Sequence, residues 1–156
     1  MRRAALARRR WLLAAAGLGL GGLALGGLAQ PAAATPLGTA DAKAVRAVVE
    51  AQLRAMAAGD AERAFSYAGP AIQAQFGDAQ RFMAMVAGSY PMVIRPAATV
   101  FFQPTLDSDG DVLQMVQLRD SAGKLWRASY LLARQPDGAW RIAGCVVAPD
   151  AAGRST

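Results

Sequence analysis

The feature that most constrains this chain is a change in the period of its apolar residues. Up to Val86 they recur at steps of three and four; beyond Arg95-Pro96 they alternate. A helix repeats about every 3.6 residues and a strand every two, so the first part reads as helices and the second as strands. From Asp41 to Ala58, the residues Val45, Val48, Val49, Gln52, Leu53 and Met56 fall on one face of a helix, which Gly59 ends. Asp60 suits the N-cap of a second helix, with Ala61, Ala64, Phe65 and Ala68 as its buried stripe and Gly69-Pro70 as its stop. A third short helix is expected from Pro70 to Phe76. Gly77-Asp78 then repeats the stop-and-cap device ahead of Phe82, Met83, Met85 and Val86. Tyr90-Pro91 and Arg95-Pro96 disfavour helix and push the chain into extended form.

Four strands are expected near Ala98 to Thr105, Val112 to Arg119, Leu125 to Arg134 and Ala139 to Val147. Their turns fall at Asp107-Ser108-Asp109-Gly110, Asp120-Ser121-Ala122-Gly123 and Asp137-Gly138. Connections this short pair successive strands antiparallel, as a meander. In the third strand Trp126, Ala128, Tyr130 and Leu132 share one face. In the fourth, Trp140, Ile142, Gly144 and Val146 oppose Arg141, Ala143, Cys145 and Val147. Helices that arrive first must cover one face of that sheet. The expected fold is α+β, with N-terminal helices packed on a curved four-stranded antiparallel meander and a conical pocket between the layers.

The first 34 residues carry a different message. Arg2, Arg3, Arg8, Arg9 and Arg10 precede an apolar stretch from Trp11 to Ala29, and Ala32-Ala33-Ala34 offers the small side chains that signal peptidase accepts. The run Arg8-Arg9-Arg10-Trp11-Leu12 resembles a twin-arginine signal. Residues 1–34 therefore read as a signal peptide, cleaved near Ala34 to deliver a periplasmic or secreted protein; the alternative is an uncleaved membrane anchor, against which the many glycines argue. After it come a short flexible segment (35–40), one domain (41–149) and a disordered tail (150–156).

Removing the leader changes the charge. The chain has 17 basic and 11 acidic residues, but five arginines precede Thr35, which leaves 12 against 11 and a net charge of +1. No basic face survives to favour nucleic acid. Histidine is absent, which removes the commonest general base and the usual zinc ligands. Cys145 is the sole cysteine, so no intrachain disulfide forms, and a thiol bound for an oxidising compartment is expected in the core. Asp107-Ser108-Asp109-Gly110-Asp111 has alternating acids but not the calcium-loop spacing, and reads as a solvated turn. Met83, Met85, Met92 and Met115 lack the repeated spacing of soft-metal sites and read as gap-filling core. No metal or cofactor is expected.

Several runs carry a resemblance. Val48-Val49-Glu50-Ala51-Gln52-Leu53, Gly59-Asp60-Ala61 with Ala64-Phe65, Phe82-Met83-Ala84-Met85-Val86, Tyr90-Pro91, Arg95-Pro96 and Asp137-Gly138-Ala139-Trp140-Arg141-Ile142-Ala143-Gly144-Cys145 together resemble the DUF4864 family of small bacterial exported proteins. The helix-Gly-Asp-helix opening and the closing strand also look like the wider NTF2-like, cystatin-like α+β cone. That resemblance implies the fold. It assigns no activity, because NTF2-like folds host enzymes, ligand binders and interaction modules alike.

Function is then a choice among those classes. An acid/base enzyme of the isomerase or dehydratase kind needs a titratable group inside the cone. Yet the predicted strands contain no carboxylate, Asp60 and Asp78 serve as caps, and Glu50 and Glu62 lie on helix surfaces. The expectation is a non-catalytic module that binds a small apolar ligand or a protein partner, with the sheet face available for a homodimer and no membrane contact beyond the signal segment. The candidate ligand-binding residues are Tyr67, Tyr90, Arg95, Gln114, Trp126 and Tyr130.

Overall fold

A computed structural model describes residues 35–151; residues 1–34, read from sequence as a signal peptide, and the last five residues lie outside the described part. Five helices come first, α1 (Thr39–Ala57), α2 (Ala61–Ser66), α3 (Pro70–Phe76), α4 (Ala79–Ser89) and α5 (Pro91–Ile94). They pack on an antiparallel sheet made of β1 (Thr35–Pro36), β2 (Ala98–Phe101), β3 (Thr105–Leu106), β4 (Val112–Arg119), β5 (Leu125–Arg134) and β6 (Trp140–Pro149). The architecture is α+β, as the change of period predicts. Among the described residues no helix is long and apolar enough to cross a membrane.

Helix boundaries follow the expected chemistry. Gly59 adopts φ +71°, and the N–H groups of Ala58, Gly59 and Asp60 donate to the carbonyls of Arg54, Met56 and Ala55, so the last turn of α1 is satisfied within the chain. The carboxylate of Asp60 accepts the Arg63 N–H at 3.0 Å and that of Asp78 accepts the Arg81 N–H at 2.8 Å, which starts α2 and α4. Pro91 departs from expectation. It does not force extended chain but sits in the first turn of α5, where its missing N–H is no loss.

The sheet keeps the meander order and modifies it at both edges. The expected first strand breaks into β2 and β3, both paired with β4. Three residues, Phe102 to Pro104, oppose only Met115 and Gln114, and Pro104 has no N–H to give the ladder. β1 then adds to β3, in the segment expected to be flexible. At the far edge the Ile142 N–H donates to the Tyr67 carbonyl and the Gly69 N–H to the Ile142 carbonyl, so the α2–α3 link covers part of β6. A Cβ on Gly69 would lie 3.2 Å from that carbonyl oxygen, which is why glycine suits the approach.

β6 holds the largest departure. Leu132 pairs with Ile142 but Leu131 pairs with Gly144, leaving Ala143 as the extra residue of a bulge. A bulge of one residue exchanges the two faces of everything after it. Trp140 and Ile142 face the core as expected, whereas Cys145 and Val147, opposite Tyr130 and Ala128, now take the inward positions. Val146 turns out and is 59% exposed. The core lies between α1 and the sheet, with Val45, Val49 and Met56 against Val112, Val116, Leu118, Ala128 and Leu132. Asp150, assigned from sequence to the tail, is buried. Its carboxylate takes both Arg127 Nη2, at 3.0 and 3.1 Å, and Gln117 Nε2 at 2.7 Å.

Candidate functional site

Helices α3, α4 and α5 stand off from the bulged half of β6, and the space between them is a cavity of about 570 Å³. That size suits a small organic molecule, since such pockets run to roughly 300–1,000 Å³. α3 contributes Ile72, Gln75 and Phe76; α4 contributes Phe82, Met85, Val86 and Ser89; Tyr90 and Val93 close the end, with Gln52 and Met56 reaching in from α1. Tyr130 of β5 and residues 142–145 and 147 form the sheet wall. The walls are mainly apolar, and no charged side chain is among the lining residues. Gln75, Ser89, Ala143 and Cys145 are exposed and mark the mouth, while Gln52, Val93, Tyr130 and Ile142 are buried at depth.

An aromatic cluster stiffens one wall. Phe82 packs between Phe65, with centroids 5.4 Å apart, and Phe76, at 5.7 Å and nearly perpendicular. Gln52 is fixed by its own bond, Nε2 donating to the Ala64 carbonyl at 3.1 Å, which also ties α1 to α2.

The polar centre of the site is the cross-strand pair Tyr130 and Cys145. Tyr130 is 1% exposed, and the one partner its buried hydroxyl meets is the weakly accepting sulfur of Cys145. Burial, and secondarily the neighbouring Cys145, push that phenol well above its ordinary range, so it stays protonated and acts as a donor. The expectation of a core cysteine does not hold. The bulge turns Cys145 to the cavity, where its residue is solvent-accessible while the walls crowd the sulfur. Crowding pushes the thiol up to about 12, with Tyr130 pulling modestly the other way.

Of the six residues nominated from sequence, Tyr90 and Tyr130 line this cavity. The others lie elsewhere. Tyr67 is half-buried; its hydroxyl accepts from Arg63 Nε at 3.5 Å and its carbonyl takes the Ile142 N–H. Arg95 donates through Nε to the Ala57 carbonyl at 3.0 Å, binding the helix-to-sheet crossover to the end of α1, and it borders a separate surface groove with Arg46, Glu50 and Arg54. Gln114 is fully buried, its Nε2 donating to the Phe102 and Met115 carbonyls at 2.7 and 2.9 Å beside the break between β2 and β3. Trp126 donates to Asp120 at 2.8 Å and carries Lys124 over its ring, which fastens the β4–β5 hairpin. Asp107 likewise serves its own turn, accepting the Asp109 and Asp111 N–H groups at 2.9 Å.

Sequence reasoning missed Gln52, Cys145 and the helical walls. Gly144 was the available signal, because glycine inside a strand often marks a bulge. Fold and cavity together define an α+β protein in which helices roof an antiparallel sheet over an uncharged, apolar chamber. The chain belongs to the DUF4864 family, described as a domain of unknown function, whose pattern matches residues 38–154. No curated protein matches the chain.

Proposed function

We propose that this protein is an exported, non-catalytic binding module of NTF2-like build that captures a small, mostly apolar molecule between its helices and its sheet. The observation that carries the reading is the chamber of about 570 Å³, walled by apolar side chains. A pocket of that kind gains affinity by removing apolar surface from water and selectivity from a few placed polar groups. Catalysis is less well supported. General acid or base work needs a group that exchanges its proton near neutral pH. The cavity lining holds no carboxylate or histidine, and Tyr130 and Cys145 are both shifted toward keeping their protons. Export is supported by the arginine-led apolar leader ending at Ala32-Ala33-Ala34.

Native mass spectrometry of the protein purified from the envelope of its own cells tests the reading. The expected spectrum shows a chain starting at Thr35 with one small molecule bound. A chain that arrives bare, and whose melting temperature no apolar compound raises, defeats it. The same spectrum reports whether two copies associate through the outer sheet face, where Val100, Phe102 and Val146 are exposed.

A further inference from the structure

We infer that the groove between α1 and the start of β2 is a second binding site, one that takes a small phosphate monoester carried on an apolar body. It shares no lining residue with the chamber. Arg46, Glu50 and Arg54 recur every four residues on α1, so they form one ridge, with the two arginines about 12 Å apart along the helix. Arg95 ends the row, its Nε donating to the Ala57 carbonyl at 3.0 Å. Leu53, Ala57, Pro96 and Phe101 make an apolar floor, and the groove holds about 530 Å³, enough for a small organic molecule.

Charge carries the assignment. Residues 35–151 contain 11 basic side chains, the chain's 17 less the five leader arginines and Arg154, and all 11 acids, so this part is neutral as a whole. In the groove three arginines meet one carboxylate, a local excess of two positive charges. Glu50 does not neutralise the row: its Oε1 takes Arg46 Nε at 2.7 Å, while its Oε2 lies 3.8 Å from Arg54 Nη1, beyond a hydrogen bond. Arg46 stacks over Phe101 at 4.8 Å, and the Nη groups of Arg46 and Arg95 make no hydrogen bond among the described residues. Exposed pairs of this kind add little to folding, whereas guanidinium forks match phosphate oxygens. A phosphate monoester, at about −1.5 to −2 near neutral pH, balances the excess, and the floor receives its apolar body. Membrane attachment calls for clusters of roughly four to eight cations, which three arginines around a glutamate do not reach.

Calorimetric titration of the mature protein at pH 8 with 1-naphthyl phosphate, 1-naphthoate and inorganic phosphate tests this. The naphthyl phosphate is expected to bind at least about tenfold tighter than either of the others, and to weaken as salt is raised. Arg54→Ala removes a side chain that is 71% exposed and should weaken it about tenfold or more, the increment of one charge-assisted hydrogen bond. Glu50→Gln should tighten it, and Ala143→Trp at the chamber mouth should leave it unchanged. Absence of binding, or binding that Arg54→Ala leaves intact, overturns the site. Equal binding of the naphthoate overturns the phosphate assignment, and equal binding of inorganic phosphate overturns the role of the floor. Loss of binding in Ala143→Trp puts the ligand in the chamber and overturns the second site. Phosphatidate vesicles should leave the protein in the supernatant; sedimentation that Arg54→Ala abolishes assigns the groove to a membrane and overturns the small ligand. Thermal melts establish that each variant folds.

Discussion

Replacing Tyr130 by phenylalanine should make the ligand-free protein more stable, and the sign of that change is the test. A buried tyrosine whose hydroxyl is bonded loses stability on truncation, by about 0.5–1.5 kcal/mol for an ordinary hydrogen bond. Tyr130 is 1% exposed and its hydroxyl meets only the sulfur of Cys145, so the folded state carries a poorly satisfied, desolvated group that the unfolded chain hydrates. That penalty is about 1–3 kcal/mol. The weak sulfur acceptor of Cys145 offsets part of it, and the small space left by the oxygen offsets a little more, which leaves a net gain near 1 kcal/mol. For a domain of this size that gain raises the melting temperature by about 4 °C. Thermal melts and urea titrations of ligand-stripped protein measure it. A Tyr130→Phe protein that is less stable by about 1 kcal/mol without ligand refutes the reasoning, since it means the hydroxyl is already bonded within the fold.

The same cavity governs three further outcomes. With its thiol pushed up to about 12, Cys145 is almost wholly protonated at pH 8, so iodoacetamide should alkylate it about a thousandfold more slowly in the folded protein than in urea, the rate rising about tenfold per pH unit. Because Cys145 and Tyr130 are both raised in the fold, their contribution to stability is intact below about pH 9 and is lost as pH climbs from there toward the folded values; urea midpoints across pH 7–11 should be flat and then fall. Ala143→Trp, at the exposed mouth, should cut naphthalene binding at least about tenfold while changing stability by less than about 1 kcal/mol. Outside the cavity, Asp150→Ala strands Arg127 Nη2 and Gln117 Nε2 between β4 and β5 and should cost about 1–3 kcal/mol in urea denaturation, the lower end reflecting the 39% exposure of Arg127.

How legible the molecule was in its sequence depended on whether a signal was local. Gly59 and Gly77 both adopt positive φ, Asp60 and Asp78 both cap, and Pro70 to Phe76 forms the short helix its flanks predict. Each decision is made within about four residues, so the chain states it directly. The six nominated site residues depended instead on which elements meet. Trp126 looks like pocket lining because it alternates with Ala128 and Tyr130, yet it lies at the hairpin end of β5, where the carboxylate of Asp120 six residues away claims its indole N–H. Arg95 sits at the crossover as expected, and the free carbonyl at the end of α1 claims its guanidinium instead of a ligand.

Position on a strand decides inside from outside only while the register is unbroken, and β6 breaks it. Alternation carried through from Trp140 assigns Val146 to the core and Cys145 to the far face; the extra residue Ala143 reverses both. The reversal builds the site. It brings a thiol opposite Tyr130, turns Val147 inward beside Ala128, and bends the edge strand where α3 and α4 stand clear of it. Regular pairing through residues 142–146 would set Gly144 opposite Tyr130 and Val146 opposite Ala128, and present the Cys145 sulfur to the outer face. The chamber and its polar centre are thus consequences of one inserted residue, held in place from outside by the bonds of Ile142 to Tyr67 and Gly69. Those bonds belong to the α2–α3 link, so the Gly69-Pro70 stop that separates two helices also secures the strand geometry on which the cavity depends.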